Sequence, residues 1–142
     1  ARNNLGDLLQ KLGRLEEAKA IYRQTIVLKP DFASAHMKLG ITLLVLDRLD
    51  EAEVSLSEAI FLIPTVAEAH NNLGVTTMKL GRLDAAATSY RQAIALKSDF
   101  FEAHRNLGKV LMKIGQHREG LNEAMIGGGF ISFNLSNGLT VL

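Results

Sequence analysis

Two kinds of side chain recur in this sequence where they could do chemistry. His36, His70 and His104 stand 34 residues apart (70−36 and 104−70), and imidazole nitrogens are common zinc ligands. Asn4, Asn72 and Asn106 keep the same register, with Lys38 in the remaining place. A carboxamide offers both a donor and an acceptor, so it can pair with a peptide backbone whatever the peptide's side chains. A run of three glycines, Gly127 to Gly129, is the third candidate, as a loop of the kind that cradles a phosphate.

Most of this chemistry fails on geometry. Helices in contact lie about 8–10 Å apart, and a second helix separates successive histidines, so they cannot converge on one ion. Metal-bound nitrogens must come within about 2 Å of it. The histidines therefore read as packing residues between units, and His117 as a surface residue opening the last helix. No His-Glu-x-x-His occurs, and the chain has no cysteine, which removes thiolate sites and disulfides. Phe130 and Ile131 follow the glycine run where a phosphate loop needs Lys and Ser or Thr. Ser55, Ser57 and Ser89 carry no motif tying them to a histidine and a carboxylate. The expectation is a protein without catalytic residues, metal or cofactor.

The elements that position these residues follow from the same period. Gly6, Gly40, Gly74 and Gly108 repeat it (40−6, 74−40 and 108−74 are each 34), which marks a stacked helix-turn-helix repeat. Around each glycine, Leu5, Leu39, Leu73 and Leu107 precede it. Leu9, Leu43, Thr77 and Leu111 follow three places later, so that one face of a helix is traced. A mid-helix glycine costs about 1 kcal/mol against alanine. Close approach of a second helix explains it, with Ala18, Ala52 and Ala86 as the expected partners. Gly13, Gly81 and Gly115 suit a left-handed helix end, with Asp47 in the second unit. The second helices open at Leu15, Leu49 and Leu83, and Tyr22, Leu56 and Tyr90 fill the space between helices. Asp31, Thr65 and Asp99 are expected N-caps, and Thr65–Glu68 and Asp99–Glu102 have capping-box spacing.

The pattern Ala35, His36, Leu39, Gly40, Leu43, repeated as Ala69, His70, Leu73, Gly74 with Gly81, Arg82, Leu83, Ala86, Tyr90 and Ala93, resembles the tetratricopeptide repeat (TPR). The resemblance implies an all-α, right-handed superhelical solenoid whose first helices line a concave face. It covers residues 1–126, in units of about 1–32, 33–66, 67–100 and 101–126. The last unit is degenerate, because Gly120, Ala124 and Gly127 replace alanine, tyrosine and alanine. Residues 127–142 form a short tail outside the repeats: two β-prone segments, Phe130 to Leu135 and Leu139 to Leu142, flank Ser136-Asn137-Gly138, a β-hairpin signal. The late-opening first unit and this tail suggest a piece of something longer.

On the concave stripe the asparagine register is similar to the ladder in the repeats of O-linked N-acetylglucosamine transferases, with Lys38 interrupting it. An extended peptide rises about 3.3 Å per residue, so three residues span roughly one unit. The partner-binding candidates are Met37, Lys38, Ile41, Leu44, Val45, Asn71, Asn72, Val75, Met78, Lys79, Arg105, Asn106, Lys109 and Met112. The second unit offers an apolar patch and the fourth a basic one. The carboxylate clamp of chaperone-binding relatives is absent in both frames, since Glu68 or Glu102 would repel a terminal carboxylate.

Bulk numbers set the remaining bounds. Sixteen basic against fifteen acidic side chains, net +1, lack the excess that nucleic acid demands. Apolar runs such as Leu43 to Leu46 fall far short of the roughly 20 residues that span a bilayer, and the start lacks the order of a secretion signal. The expected partner is a protein or peptide, in the cytoplasm. Two alternatives stand beside this adaptor: a substrate-recruiting arm of a larger transferase, and self-association through the apolar groove or the tail.

Overall fold

A computed structural model describes residues 2–128, 131–134 and 138–141, with side-chain surroundings for residues 3–128. The described residues form four helical hairpins: α1 (Arg2–Lys11) with α2 (Leu15–Leu28), α3 (Ala33–Val45) with α4 (Leu49–Leu62), α5 (Ala67–Lys79) with α6 (Leu83–Leu96), and α7 (Phe101–Lys113) with α8 (His117–Gly127). Each second helix also packs on the first helix of the next unit. The first helices α3, α5 and α7 touch in sequence, whereas the second helices stand further apart. The inner layer of a curved stack is the crowded one, so the first helices line its concave side. The chain is an all-α solenoid.

Why the helices turn where they do is visible in the backbone. Gly13, Gly81 and Gly115 take φ of 76°, 81° and 89°, and Asp47 takes φ 60°, as expected. At each, the next amide reaches back five residues. Arg14 N donates to Leu9 O at 2.9 Å, and Arg48, Arg82 and Gln116 do the same to Leu43, Thr77 and Leu111. These bonds satisfy carbonyls that the helix end would leave bare.

The helix starts differ from expectation. The residues flanking α3, α5 and α7 are Phe32, Val66 and Phe100, and none makes a side-chain cap bond. Asp31, Thr65 and Asp99 sit one place too early. The entry turns are closed instead by backbone, with Phe32 N on Lys29 O and Phe100 N on Lys97 O, both at 3.1 Å. The same lysines lie over the Phe32 and Phe100 rings at 5.2 and 5.3 Å. The recurrent histidines lock these turns: Nε2 of His36, His70 and His104 meets the carbonyls of Pro30, Pro64 and Ser98 at 2.8, 2.9 and 2.8 Å.

The repeat glycines do face a crowded seam, but the expected alanines are not what fills it. A Cβ on Gly6 would stand 2.5 Å from the Tyr22 ring, on Gly40 2.6 Å from Leu56, and on Gly74 2.6 Å from the Tyr90 ring. Ala18, Ala52 and Ala86 are buried beside these residues. In the degenerate fourth unit the seam is backbone on backbone, because a Cβ on Gly108 would meet Ala124 N and Gly120 O at 2.7 Å. With small residues at those places, α8 forms and lies closer than its counterparts.

Beyond α8 the tail forms an antiparallel pair, β1 (Ile131–Asn134) with β2 (Gly138–Val141), in the register Ile131 to Val141 and Asn134 to Gly138. Gly138 belongs to the second strand and not to the turn. The expected turn residues Ser136 and Asn137 lie outside the described residues.

Candidate functional site

The concave face carries two depressions that meet at one residue. The first, of about 480 Å³, is lined by Asp7, Gln10 and Lys11 of α1, Met37, Lys38 and Ile41 of α3, and Glu68 of α5. The second, of about 280 Å³, runs from Glu68, Ala67, Asn71 and Asn72 to Lys97, Phe100 and Glu102. Met37, Lys38, Ile41 and Asn72 therefore lie along the two joined depressions, all half-buried.

Several expected contact residues are spent elsewhere. Lys38 Nζ is held 2.6 Å from Asp7 Oδ2, which cancels the charge counted on to attract acidic ligands. The Asp7 carboxylate also accepts the Tyr22 hydroxyl at 2.7 Å. Burial alone would raise the Asp7 carboxyl, but the bonds from Lys38 and Tyr22, with the nearby lysine charges, outweigh it and hold it below the ordinary value. Asn71 is only 2% exposed, which corrects its place among the surface residues. Its amide points to Glu102 Oε1 at 3.4 Å and its oxygen receives Asn106 Nδ2 at 3.3 Å. The asparagine register is thus partly consumed within the protein, and Asn72 makes no side-chain hydrogen bond among the described residues.

Leu44 packs on the core around Tyr22 and Leu43, and Val75 and Met78 pack on the core around Tyr90 and Val110. Met112 is half-buried against Gly120 of α8. Arg105 reaches the Gly127 carbonyl at a long 3.4 Å. Val45, Lys79 and Lys109 are exposed. The second-unit apolar patch is therefore narrowed to Met37 and Ile41 in the trough, with Val45 at its edge. The fourth unit does present exposed Arg105 and Lys109.

The trough residues that lie outside the predicted set include these five. Asp7, Gln10 and Lys11 sit one, four and five places after Gly6, the offsets that define the stripe in later units, so extending the count to the first unit finds them. Glu68 and Glu102, six places before their glycines, entered only as obstacles to a clamp. They stand at the junction and the far end of the trough, and neither makes an ion pair among the described residues.

No cluster of three metal-ligating side chains occurs among the described residues. No described helix is long and apolar enough to cross a membrane.

Comparison with known proteins now decides the family. A tetratricopeptide repeat model matches residues 3–67, and a second TPR repeat model matches residues 76–115. The chain belongs to the TPR family. Among solved structures this TPR chain is similar to MamA, with 24% identity and a TM-score of 0.85 over 90% of this chain and 75% of that one. It is likewise similar to MamA from Desulfovibrio magneticus RS-1, with 20% identity and a TM-score of 0.84 over 90% and 72%. YrrB, described as a TPR protein with an unusual peptide-binding site, aligns with 23% identity and a TM-score of 0.81 over 90% and 66%. These likenesses concern the fold. No curated protein sequence matches the chain.

Proposed function

We infer that this TPR protein is a non-enzymatic interaction scaffold that holds an extended segment of a partner protein in the concave trough. The observation that carries this reading is the pair of depressions joined at Glu68, with Met37 and Ile41 on one side and, on the other, Asn72, whose side chain makes no hydrogen bond among the described residues. A peptide-binding site in YrrB is consistent with it. Residues 1–126 act as the binding domain, and residues 127–142 as a separate segment.

The electrostatics set the peptide's order of side chains. An apolar residue seats on Met37 and Ile41, where Lys38 is already neutralised by Asp7. A basic residue follows, opposite Glu68 and Glu102, because these carboxylates make no ion pair among the described residues. Toward α7 the exposed Arg105 and Lys109 favour an acidic residue. Asn72 holds the peptide backbone.

Peptides of the order apolar, basic, acidic, titrated against the protein by calorimetry, test this. Glu68→Lys with Glu102→Lys should weaken them about tenfold or more, and Asn72→Ala by a few-fold, in keeping with the loss of one or two hydrogen-bonded contacts. Binding that survives all three substitutions would remove the trough as the site.

A further inference from the structure

Three repeat positions change character together at one junction between units. Three places before the repeat glycine stand Asn3, Met37 and Asn71. At 23 places after it (29−6, 63−40 and 97−74) stand Lys29, Ile63 and Lys97. At 26 places after it (32−6, 66−40 and 100−74) stand Phe32, Val66 and Phe100. The first and third units therefore carry Asn, Lys and Phe, with each lysine lying over its own phenylalanine ring at 5.2 and 5.3 Å. The second unit carries Met, Ile and Val. Since two junctions close with the polar set, the fold does not demand the aliphatic one.

That aliphatic set encloses a pocket of about 120 Å³ between the second and third units. Its floor is Ala33 of α3, Ala59 of α4 and Ala69 of α5, all buried. Half-buried Met37 and Val66 wall it, and Ile63, 47% exposed, stands at the rim with Ser34. One unit on, Asn71, Lys97 and Phe100 instead line part of the polar depression that holds Glu68 and Glu102. Met37 also lines the first depression of the trough, so pocket and trough share a wall. That wall is an unbranched side chain with three rotatable bonds, which turns aside easily.

We propose that this pocket is the specificity site for one aliphatic side chain, of leucine size, on the extended partner segment lying in the trough. The proposal rests on the trough reading above and adds the identity of the anchor. The lining has no charge and a single hydroxyl, so a polar side chain entering it would lose water without gaining partners. An apolar cavity of about 150 Å³ holds benzene, so this smaller one suits a four-carbon side chain and excludes an indole. Entry past Met37 requires a segment already seated in the trough, which selects an extended partner over a free apolar surface.

Two measurements test this. In the first, two peptides of the order apolar, basic, acidic, differing only in leucine or alanine at the apolar place, are titrated by calorimetry. Leucine should bind about tenfold or more tightly, the scale of one buried anchor. The triple variant Met37→Asn, Ile63→Lys, Val66→Phe copies the set of the units on either side, and should bring the two peptides within about twofold of each other. Taking the ratio cancels what the added charge does to both peptides alike. In the second, the methyl signals of the chain's four methionines are followed by NMR as N-acetyl-leucinamide is added. The Met37 methyl should shift saturably, and N-acetyl-alaninamide should leave it in place. This readout needs no peptide, so it separates the pocket from the trough. Peptides that bind without discrimination, or with discrimination that survives the triple variant, would overturn the pocket and leave the trough standing. A Met37 methyl indifferent to N-acetyl-leucinamide would overturn it too, as would one that moves on dilution of the protein alone, because the occupant would then be a second copy. A responsive Met37 with neither peptide bound would instead support the pocket and remove the trough.

Discussion

The first and third units lay the same tyrosine over the same glycine and finish the job differently. Tyr22 and Tyr90 are both 0% exposed. Tyr22 donates to Asp7, with Gln10 Oε1 also 3.2 Å away. In the third unit the places of Asp7 and Gln10 are held by Val75 and Met78, and the Tyr90 hydroxyl is buried without a partner among the described residues. The second unit avoids the question, with Leu56 opposite Ile41 and Leu44. A repeat therefore tolerates a swap of its seam residue only when two positions on the facing helix change with it. Burial, then the Asp7 bond, raises the Tyr22 phenol, while burial, then the Glu102 charge, raises that of Tyr90. Both hydroxyls stay protonated at neutral pH, and only one of them is used.

The largest effect should come from the unit that departs furthest from both. In the first three units the atoms nearest the repeat glycine belong mainly to a side chain that can shift, whereas at Gly108 they are backbone of α8. Gly108→Ala should cost about 3 kcal/mol, the upper part of the range for overpacking, even after the helix propensity gained. Gly40→Ala should cost less. Equal losses in urea unfolding would mean that α8 slides away as easily as Leu56 turns.

Next in size is Asp7→Val, which copies the third unit into the first. It strands the Tyr22 hydroxyl in a buried seam and should cost about 1–3 kcal/mol, the penalty for a buried group left unpaired. Lys38, whose side chain is 27% exposed, can turn to water and adds little. A neutral outcome would show that Gln10 alone satisfies Tyr22.

What the residues reveal beforehand separates along similar lines. The 34-residue period, the left-handed helix ends and even Asp47 standing in for glycine are legible, because each rests on one residue's backbone preference. The helix starts are not, since the closure of Phe32 on Lys29 and of Phe100 on Lys97 uses backbone that any sequence supplies. Asp31 and Asp99 were plausible caps by type and wrong by one position. The stripe leads to Met37, Ile41 and Asn72, which line the two depressions. It cannot foresee that Asn71 is buried, because the same offset is half-exposed Met37 in the second unit and exposed Arg105 in the fourth. Only the meeting of Asn71 with Glu102 and Asn106 from the next helix decides that. Lys38 fails for the same reason: its partner Asp7 lies 31 residues away.

A smaller effect distinguishes the two seams by pH. The folded Asp7 carboxyl sits below its unfolded value, so its contribution to stability is present above the unfolded pKa of about 3.9 and is lost as pH falls through the lower folded one. The parent should lose stability relative to Asp7→Asn as pH falls below about 4. A Val75→Asp variant should not reproduce this dependence, because Asn106 replaces the lysine that lowers Asp7. Denaturant midpoints of all three proteins between neutral and acid pH would check it, and parallel curves for the parent and Asp7→Asn would show that Asp7 and Lys38 are not coupled in solution.

The smallest change carries the sign that matters most. Tyr22→Phe removes a made hydrogen bond and should destabilise by about 1 kcal/mol, leaving Asp7 its bond from Lys38. Tyr90→Phe removes a hydroxyl that was desolvated on folding and gained no partner, so it should be neutral or stabilise by up to about 1 kcal/mol. The two substitutions delete the same atom from the same place in two repeats, so differences in the unfolded chain largely cancel. Urea midpoints at unchanged slope give both values from one experiment. If Tyr90→Phe destabilises as much as Tyr22→Phe, the Tyr90 hydroxyl has a partner after all. A bound water reaching toward Glu102, whose charge already bears on the phenol, is the candidate, and the third seam would then be satisfied through solvent where the first is satisfied by a side chain.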